Sequence, residues 1–530
     1  MVLDLKMIKH KTKTMLKQIF TIGCMAMMTM ANASEEGFKL LTYEKFNAAS
    51  TAFETSNDPN AVFYKGYALL RAGKENEAKD VMNKIATTPL GMVGLGWVEL
   101  NKKNSAGAKV QFDAAIKASK SKDGLIFRFI GEAYTYTTGT KDPDAAIEKC
   151  KFANTLLKNN ALNYIALGDA YLAKLDGGSA ITQYEYADQY GGKYGMPNCK
   201  IGQVYYSSRN YQFSKDYLNR ALAQDENNPI TQRELGELYY KINKFEKAKE
   251  HFSKYMETGE TSLDDKAMYA NILFLGKDYP NAINTISEII KVDNTRNYLN
   301  RLIGYSNYET EKYPEALEFM EKFLATQAPE KIIASDWEYY GKSLIKNKKD
   351  SIGLIYLVKS MSIDSSNRDK WGDVAAAFYA QKKYSEAAKY YTKKVDPDAP
   401  SASDWFNVGN SYYKAKDFAN AINAFGKVIE TKPDAGSGYM WRAKSFVQSD
   451  PDQKTSSAKP DFEKFISIGS ADPVKNKKDL IEAYNYMAAN ALINANNKEE
   501  AKGFANKVLE LDPTNAQAQS VITAITAPQK

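Results

Sequence analysis

Apolar residues recur along this chain at spacings of three and four, the interval at which side chains share one face of an α-helix, and short polar segments interrupt them at regular distances. The stretch from residue 405 shows the pattern most fully. Trp405, Val408, Gly409 and Tyr412 mark one face of a first helix, and Ala421, Phe425 and Val428 mark one face of a second. Between them the polar segment Lys414 to Asp417 makes a turn, and Pro433 closes the unit because its ring cannot continue a helix. From Gly202 a small residue returns every 34 positions, at Gly236, Ala270 and Gly304, then after a slip of three at Gly341, Ala375, Gly409 and Ala443. A second ladder runs twelve positions later, through Ser214, Ala248, Ala282, Ala316, Gly353, Ala387 and Ala421. Two trimmed side chains per period let two antiparallel helix backbones cross closely. Hairpins of this kind, each packing only on its neighbours, build a solenoid.

The unit at 405–433 resembles the tetratricopeptide repeat, whose pattern is an aromatic, Leu-Gly, a tyrosine, then Ala, an aromatic, Ala and Pro; Val408 stands for the Leu and Val428 for the last Ala. Carried outward, the register anchors about thirteen units on Gly66, Gly96, Gly131, Gly168, Gly202, Gly236, Ala270, Gly304, Gly341, Ala375, Gly409, Ala443 and Ala489. The resemblance implies an all-α fold, a right-handed α-solenoid of tandem hairpins over 59–514. Polar insertions at Gly139 to Asp144, Ser449 to Lys459 and Gly469 to Lys478 read as loops. A capping helix is expected at 34–58, through Tyr43, Phe46, Ala49 and Phe53, and another in the tail at 515–530, through Ala516 to Ile525.

The first 33 residues carry a different signal. Lys9, Lys11, Lys13 and Lys17 precede an apolar run from Ile19 to Met30 that ends in Ala31-Asn32-Ala33. This reads as a secretory signal peptide cleaved before Ser34, too short for a membrane-spanning helix of ~20 residues. A rival reading makes Cys24, after Ile22-Gly23, a lipoprotein anchor. With that segment set aside, the chain's 71 basic and 64 acidic residues fall to 66 and 63, a net charge of +3. No basic stripe of the kind a phosphate backbone requires is present, which argues against nucleic acid.

Catalytic chemistry finds no constellation. His251 is the one histidine after the leading segment, and it stands beside the core residue Phe252 on a second helix, as a surface position would. Cys150 and Cys199 fall on hairpins two apart and are expected as separate buried thiols. Structural zinc needs four such ligands, so neither a metal nor a cofactor is expected. Gly341-Lys342-Ser343 mimics the end of a phosphate-binding loop, but Asp336 stands where its leading glycine would be.

The resemblance implies that first helices line a concave face. Four residues beyond each ladder position lie Tyr206, Tyr240, Phe274, Tyr308, Ile345, Tyr379 and Tyr413, a candidate row of anchors, since tyrosine pairs a flat apolar ring with a hydroxyl. Flanking positions include Arg233, Glu237, Lys241, Arg301, Tyr305, Glu309, Lys342, Asn410 and Lys444, whose mixed signs suit a partner of mixed charge. The clamp by which some family members hold a chaperone's terminal carboxylate is not reproduced: Arg233 is followed by Glu237, Arg301 by Tyr305 and Phe406 by Asn410. The expected function is a periplasmic, non-enzymatic scaffold or adaptor that binds envelope proteins or peptides. By resemblance, the partners belong to a secretion, outer-membrane assembly or TonB-type transport complex. The alternative is recognition of peptidoglycan or another glycan by tyrosine stacking.

Overall fold

Each hairpin closes where a large side chain of its second helix sits on a small residue of its first. A Cβ added to Gly236 would meet Phe252 Cδ2 at 2.8 Å, and one on Gly168, Gly202 or Gly409 would strike Tyr184, Leu218 or Phe425 in the same way. The filler stands sixteen residues beyond the glycine in each case. At Gly341 and Gly353 the two backbones themselves meet, with added Cβ atoms 2.8 and 2.6 Å from the facing carbonyl oxygens. The ladder is therefore a row of helix crossings at close-packed density.

The computed structural model describes residues 35–526, apart from 55, 365–367 and 452–454, and among these residues it contains helices and no strand. Thirteen helix pairs follow one another, from Pro59–Arg71 with Glu75–Asn83 to Lys477–Ile493 with Lys498–Leu511, and Ala516–Thr526 ends the series. The fold is an α-solenoid of helical hairpins. The signal-peptide and Cys24 readings fall on residues 1–33, outside the described residues.

Local chemistry starts and stops the helices. Asp58, Asn160 and Asn228 accept backbone N–H groups at the starts of Pro59–Arg71, Ala161–Ala173 and Pro229–Lys241. Turns within hairpins share one device. Lys103, Leu175, Arg209, Asn243, Lys277, Glu311, Lys348, Lys382 and Lys416 all take positive φ near 60°. At the first of them, Lys103 N–H donates to Leu100 O and Asn104 N–H to Glu99 O, both 2.9 Å, the paired bonds that end a helix on a left-handed residue.

The chain divides into two compact units, 1–302 and 303–530. In the N-terminal unit the first helices of successive hairpins touch: Pro59–Arg71 meets Pro89–Asn101, which meets Gly124–Tyr136, which meets Ala161–Ala173. Second helices pack on their own hairpin and the next first helix. First helices thus crowd together on one side, which makes that side the inner face of this unit.

Three expectations change. The segment through Tyr43, Phe46, Ala49 and Phe53 is not one capping helix: Glu44 takes φ 54°, which breaks it into a helix at 35–42 and the helix Phe46–Ala52. His251 is half-buried, its Nδ1 2.8 Å from Gln232 Oε1 and its ring stacked on Tyr239. Burial lowers its pKa. Tyr305, placed among the partner-facing flanks, is buried; its hydroxyl donates to Asp336 Oδ1 at 2.6 Å and its ring stacks on Tyr339 at 4.0 Å. Cys150 and Cys199 are separate buried thiols, and burial pushes the Cys199 thiol up to about 12.

Candidate functional site

The inner face of the N-terminal unit is built from first helices, whose residues one beyond the ladder position point along it. Tyr67, Glu132, Asp169 and Gln203 follow Gly66, Gly131, Gly168 and Gly202. Three of these line a cavity of about 730 Å³, bounded by helix 35–42, by Pro59–Arg71, Gly124–Tyr136 and Ala161–Ala173, and by the loop before Met196–Ser207.

Asp169 is the polar hub. Its carboxylate accepts from the Tyr136 hydroxyl, from Tyr184 Oη at 2.6 Å and from Lys200 Nζ at 2.9 Å. Burial, with the charge of Asp169 added, holds both phenols well above their ordinary range. Burial alone would lower the Lys200 ammonium, but Asp169 and Glu44 outweigh it and raise its pKa. Arg71 lies 3.8 Å over the Tyr136 ring and 4.6 Å over Phe46, and its Nη1 donates to Tyr67 Oη at 3.1 Å. Arg128 and Glu132 stand one helical turn apart, 4% and 9% exposed, with Nε 3.3 Å from Oε1. Burial raises the Glu132 carboxyl against the pull of Arg128. Arg128 Nε and Glu132 Oε2 make no hydrogen bond.

Residues 35–53 run over this face as a strap. Tyr43 Oη donates to Asp225 Oδ2 at 2.6 Å, and its ring stands edge-on to Tyr194. The helix Phe46–Ala52 has no side-chain cap of its own. Glu260 supplies one from far along the chain, accepting Asn47 N–H at 3.0 Å, Ala48 N–H at 2.7 Å and Asn47 Nδ2 at 3.0 Å. Phe38 packs edge-on to Tyr64.

The expected anchor residues occupy a recurring position. Tyr206, Tyr240 and Phe274 in this unit are each the penultimate residue of a first helix, half-buried, with the ring against the aromatic five residues on: Tyr211, Phe245 and Tyr279, at 5.9, 6.3 and 5.7 Å. They staple the turn and remain half-buried. Arg233 Nη2 donates to Glu234 Oε1 at 2.8 Å, with Nε 3.8 Å from Glu237 Oε1. Burial, then the charge of Glu234, lift the Glu237 carboxyl to about 7, against Arg233. Arg301 is half-buried.

In the C-terminal unit Tyr308, Tyr379 and Tyr413 repeat the staple against Tyr313, Tyr384 and Phe418, at 5.5, 5.1 and 5.7 Å. Asn410 Nδ2 donates to Tyr379 Oη at 3.0 Å and so joins two successive hairpins. Glu338 holds Lys342 at 2.7 Å and Lys370 at 2.6 Å. Burial works to raise its pKa, but the two ammonium groups bring it below the usual carboxylate range. Among the described residues no group of three or more His, Cys, Asp or Glu is placed to hold a metal ion.

Arg71, Arg128, Glu132, Asp169 and Lys200 are absent from the expected site. The signal for two of them was available: the offset that gives Glu237, Lys342 and Asn410 from their ladder residues also gives Glu132 and Asp169 from Gly131 and Gly168.

Comparison with known proteins adds a family and a set of folds. Residues 405–434 and 482–515 match the tetratricopeptide repeat family. No curated protein matches the chain. Among solved structures, the C-terminal part of a TPR repeat-containing protein from Cytophaga hutchinsonii is 31% identical, with 48% of this chain and 98% of that one covered and a TM-score of 0.38. PilF of Pseudomonas aeruginosa is 16% identical, covering 42% and 94%, TM-score 0.32. A tetratricopeptide repeat protein from Parabacteroides merdae is 18% identical, covering 43% and 90%, TM-score 0.28.

Proposed function

We propose that this chain, which carries tetratricopeptide repeats at 405–434 and 482–515, is an exported, non-enzymatic scaffold that binds envelope proteins or peptides through the inner faces of its first helices. One observation supports polypeptide as the ligand. The N-terminal unit already holds a stretch of polypeptide, the chain's own residues 43–48: Glu260 and Asp225, in the loops after two second helices, accept from two main-chain N–H groups, an asparagine side chain and a tyrosine hydroxyl, and Arg71 of a first helix lies over Phe46. Main-chain recognition works on any sequence, and the flanking aromatics add selectivity.

The anchors Tyr240, Tyr308, Tyr379 and Tyr413 are half-buried and keep part of each side chain for such contacts, although Tyr308 also packs on Tyr339 and Tyr413 on Trp441, and in the C-terminal unit Asn410 and Lys342 supply polar partners beside them. Export rests on the leading segment, with periplasmic release after Ala33 or retention through Cys24 as its two outcomes. Photo-crosslinking in intact cells tests the whole reading. A photoreactive residue at Tyr379 or Tyr413 is expected to trap a protein partner, and one at Glu430 on a second helix to trap none. Equal yields from both faces, or a chain recovered in the cytoplasm, would reject it.

A further inference from the structure

One second helix of the C-terminal unit departs from its neighbours. In these helices the residue before the ladder position and the residue two beyond it are exposed. Around Ala316, Ala387 and Ala421 they are Glu315 and Glu318, Glu386 and Lys389, and Asn420 and Asn423. Around Gly353, in the helix Asp350–Ile363, they are Ile352 and Ile355, 51% and 65% exposed, and Ile363 two turns further along the same stripe is 53% exposed. Lys359, between them on that stripe, is held 3.6 Å over the Trp337 ring. Single exposed apolar side chains are ordinary, but three on one stripe, two of them where the neighbouring helices are polar, mark a contact surface.

The flanking helices indicate what covers it. Each second helix packs on its own first helix and on the first helix of the next hairpin, so the second helices follow one another in chain order. On one side of Asp350–Ile363, Tyr313–Thr326 exposes Glu315, Glu318 and Glu321 against Lys322. On the other, Tyr384–Lys394 and the turn before it expose Lys382, Lys383, Lys389 and Lys393 against Glu386. The surface is thus acidic, apolar and basic in succession. A two-fold axis running along the middle helix lays its isoleucines on those of a second copy and turns each acidic flank onto the other copy's basic one, the self-complementarity that an isologous interface requires. An axis across the helix would set acid on acid and base on base, which is unfavourable. We infer that Asp350–Ile363 is the centre of a symmetric contact between two copies of this chain, on the second-helix side of the C-terminal unit. The contact is independent of what the first helices bind. Built on about one helix pair, it is smaller than the ~1,600 Å² of a standard interface, so the dimer forms and dissociates with concentration.

Sedimentation velocity of the full chain from micromolar to near-millimolar concentration tests it. The native chain is expected to shift from monomer to dimer. Ile352→Glu/Ile355→Lys, which gives this helix the pair found in the next hairpin, is expected to fold as stably and to raise the dimer dissociation constant tenfold or more. Charge reversal tests the axis. Glu315→Lys/Glu318→Lys and Lys382→Glu/Lys389→Glu are each expected to weaken the dimer several-fold, and an equimolar mixture of the two to restore it, because each reversed flank then meets its opposite. These variants leave the apolar stripe in place, so they carry the test should the isoleucine variant fail to fold. A chain that stays monomeric throughout, equal association by the folded isoleucine variant, or no recovery on mixing would overturn the assignment. So would a monomer whose stripe takes up lipid vesicles or a different protein instead.

Discussion

Asp169 and Lys342 stand at the same place in their hairpins, one residue beyond Gly168 and Gly341, yet their surroundings differ. In the N-terminal unit Asp169 is 6% exposed and enclosed by Tyr136, Tyr184 and Lys200. In the C-terminal unit Lys342 keeps 30% of its side chain in solvent while it pairs with Glu338. The hairpins are built alike, so the repeat does not account for the difference. The partners of Asp169 come from its own hairpin and the two beside it, and residues 35–44 line the same cavity, so this face is covered where it carries its charges. Covering a face changes what the same backbone position can do.

The largest effect should come from breaking one buried pair. Glu132→Leu leaves Arg128 buried opposite an apolar side chain and is expected to destabilise the N-terminal unit by about 3–5 kcal/mol. Glu338→Leu, in a half-solvated network, should cost about 1 kcal/mol or less. Urea unfolding of the two variants decides the matter: similar losses would show that the two inner faces are energetically alike.

The ladder should show no such contrast. Gly236→Ala and Gly409→Ala both drive a Cβ into a phenylalanine, at 2.8 and 2.7 Å, and each is expected to lose about 1–3 kcal/mol by overpacking. Gly503, with nothing within 4 Å of an added Cβ, is the control. Gly503→Ala should gain about 0.5–1 kcal/mol, because alanine loses less backbone entropy in a helix. Thermal unfolding that separated Gly236→Ala from Gly409→Ala by more than their error would mean that the two units differ in their frames as well as their faces.

These contrasts explain what the sequence could reveal. Hairpins were legible because their determinants are local: a 34-residue period, a small residue twelve positions on, a turn and a proline. The anchor row was legible as a position, and so was the aromatic five residues beyond each aromatic anchor, which turns the row into turn staples. Tyr305 and Tyr308 look alike in one dimension, yet the first is buried, stacked on Tyr339 and bonded to the carboxylate of Asp336. The strap was beyond reach. Tyr43 finds Asp225 and Asn47 finds Glu260 across 182 and 213 residues, a pairing no local pattern encodes. The burial of Arg128 and Glu132 follows from packing of the same long range.

Acidity offers a smaller test on the same face. Glu237 has a carboxyl pKa lifted to about 7 from the ordinary 4.5, so the folded chain holds a proton that the unfolded chain has released between those values. Stability is therefore whole below about pH 4.5 and falls as pH rises toward 7. The side chain is still 30% exposed, which limits the loss to on the order of 1 kcal/mol. Glu237→Gln should flatten the unfolding midpoint between pH 5 and 7.5 relative to the native chain. An unchanged slope would assign that pH dependence to other groups.

The smallest effect is local and bears most directly on the strap. Glu260 accepts both main-chain N–H groups at the start of Phe46–Ala52, a seven-residue helix that is too short to persist alone. Glu260→Ala removes that cap while Tyr43 still reaches Asp225 and Phe46 still lies under Arg71. The strap should therefore open more often without leaving, at a local cost of about 1 kcal/mol. Hydrogen exchange should report this as roughly fivefold faster exchange at Asn47 and Ala48, by the 1.4 kcal/mol per tenfold relation, with helix amides of the C-terminal unit unmoved. Unchanged exchange at those two amides would mean that the aromatic contacts alone hold the strap. Acceleration throughout the N-terminal unit would mean that the strap is part of the unit's frame, and the contrast between a covered and an open face would then be one between two kinds of core.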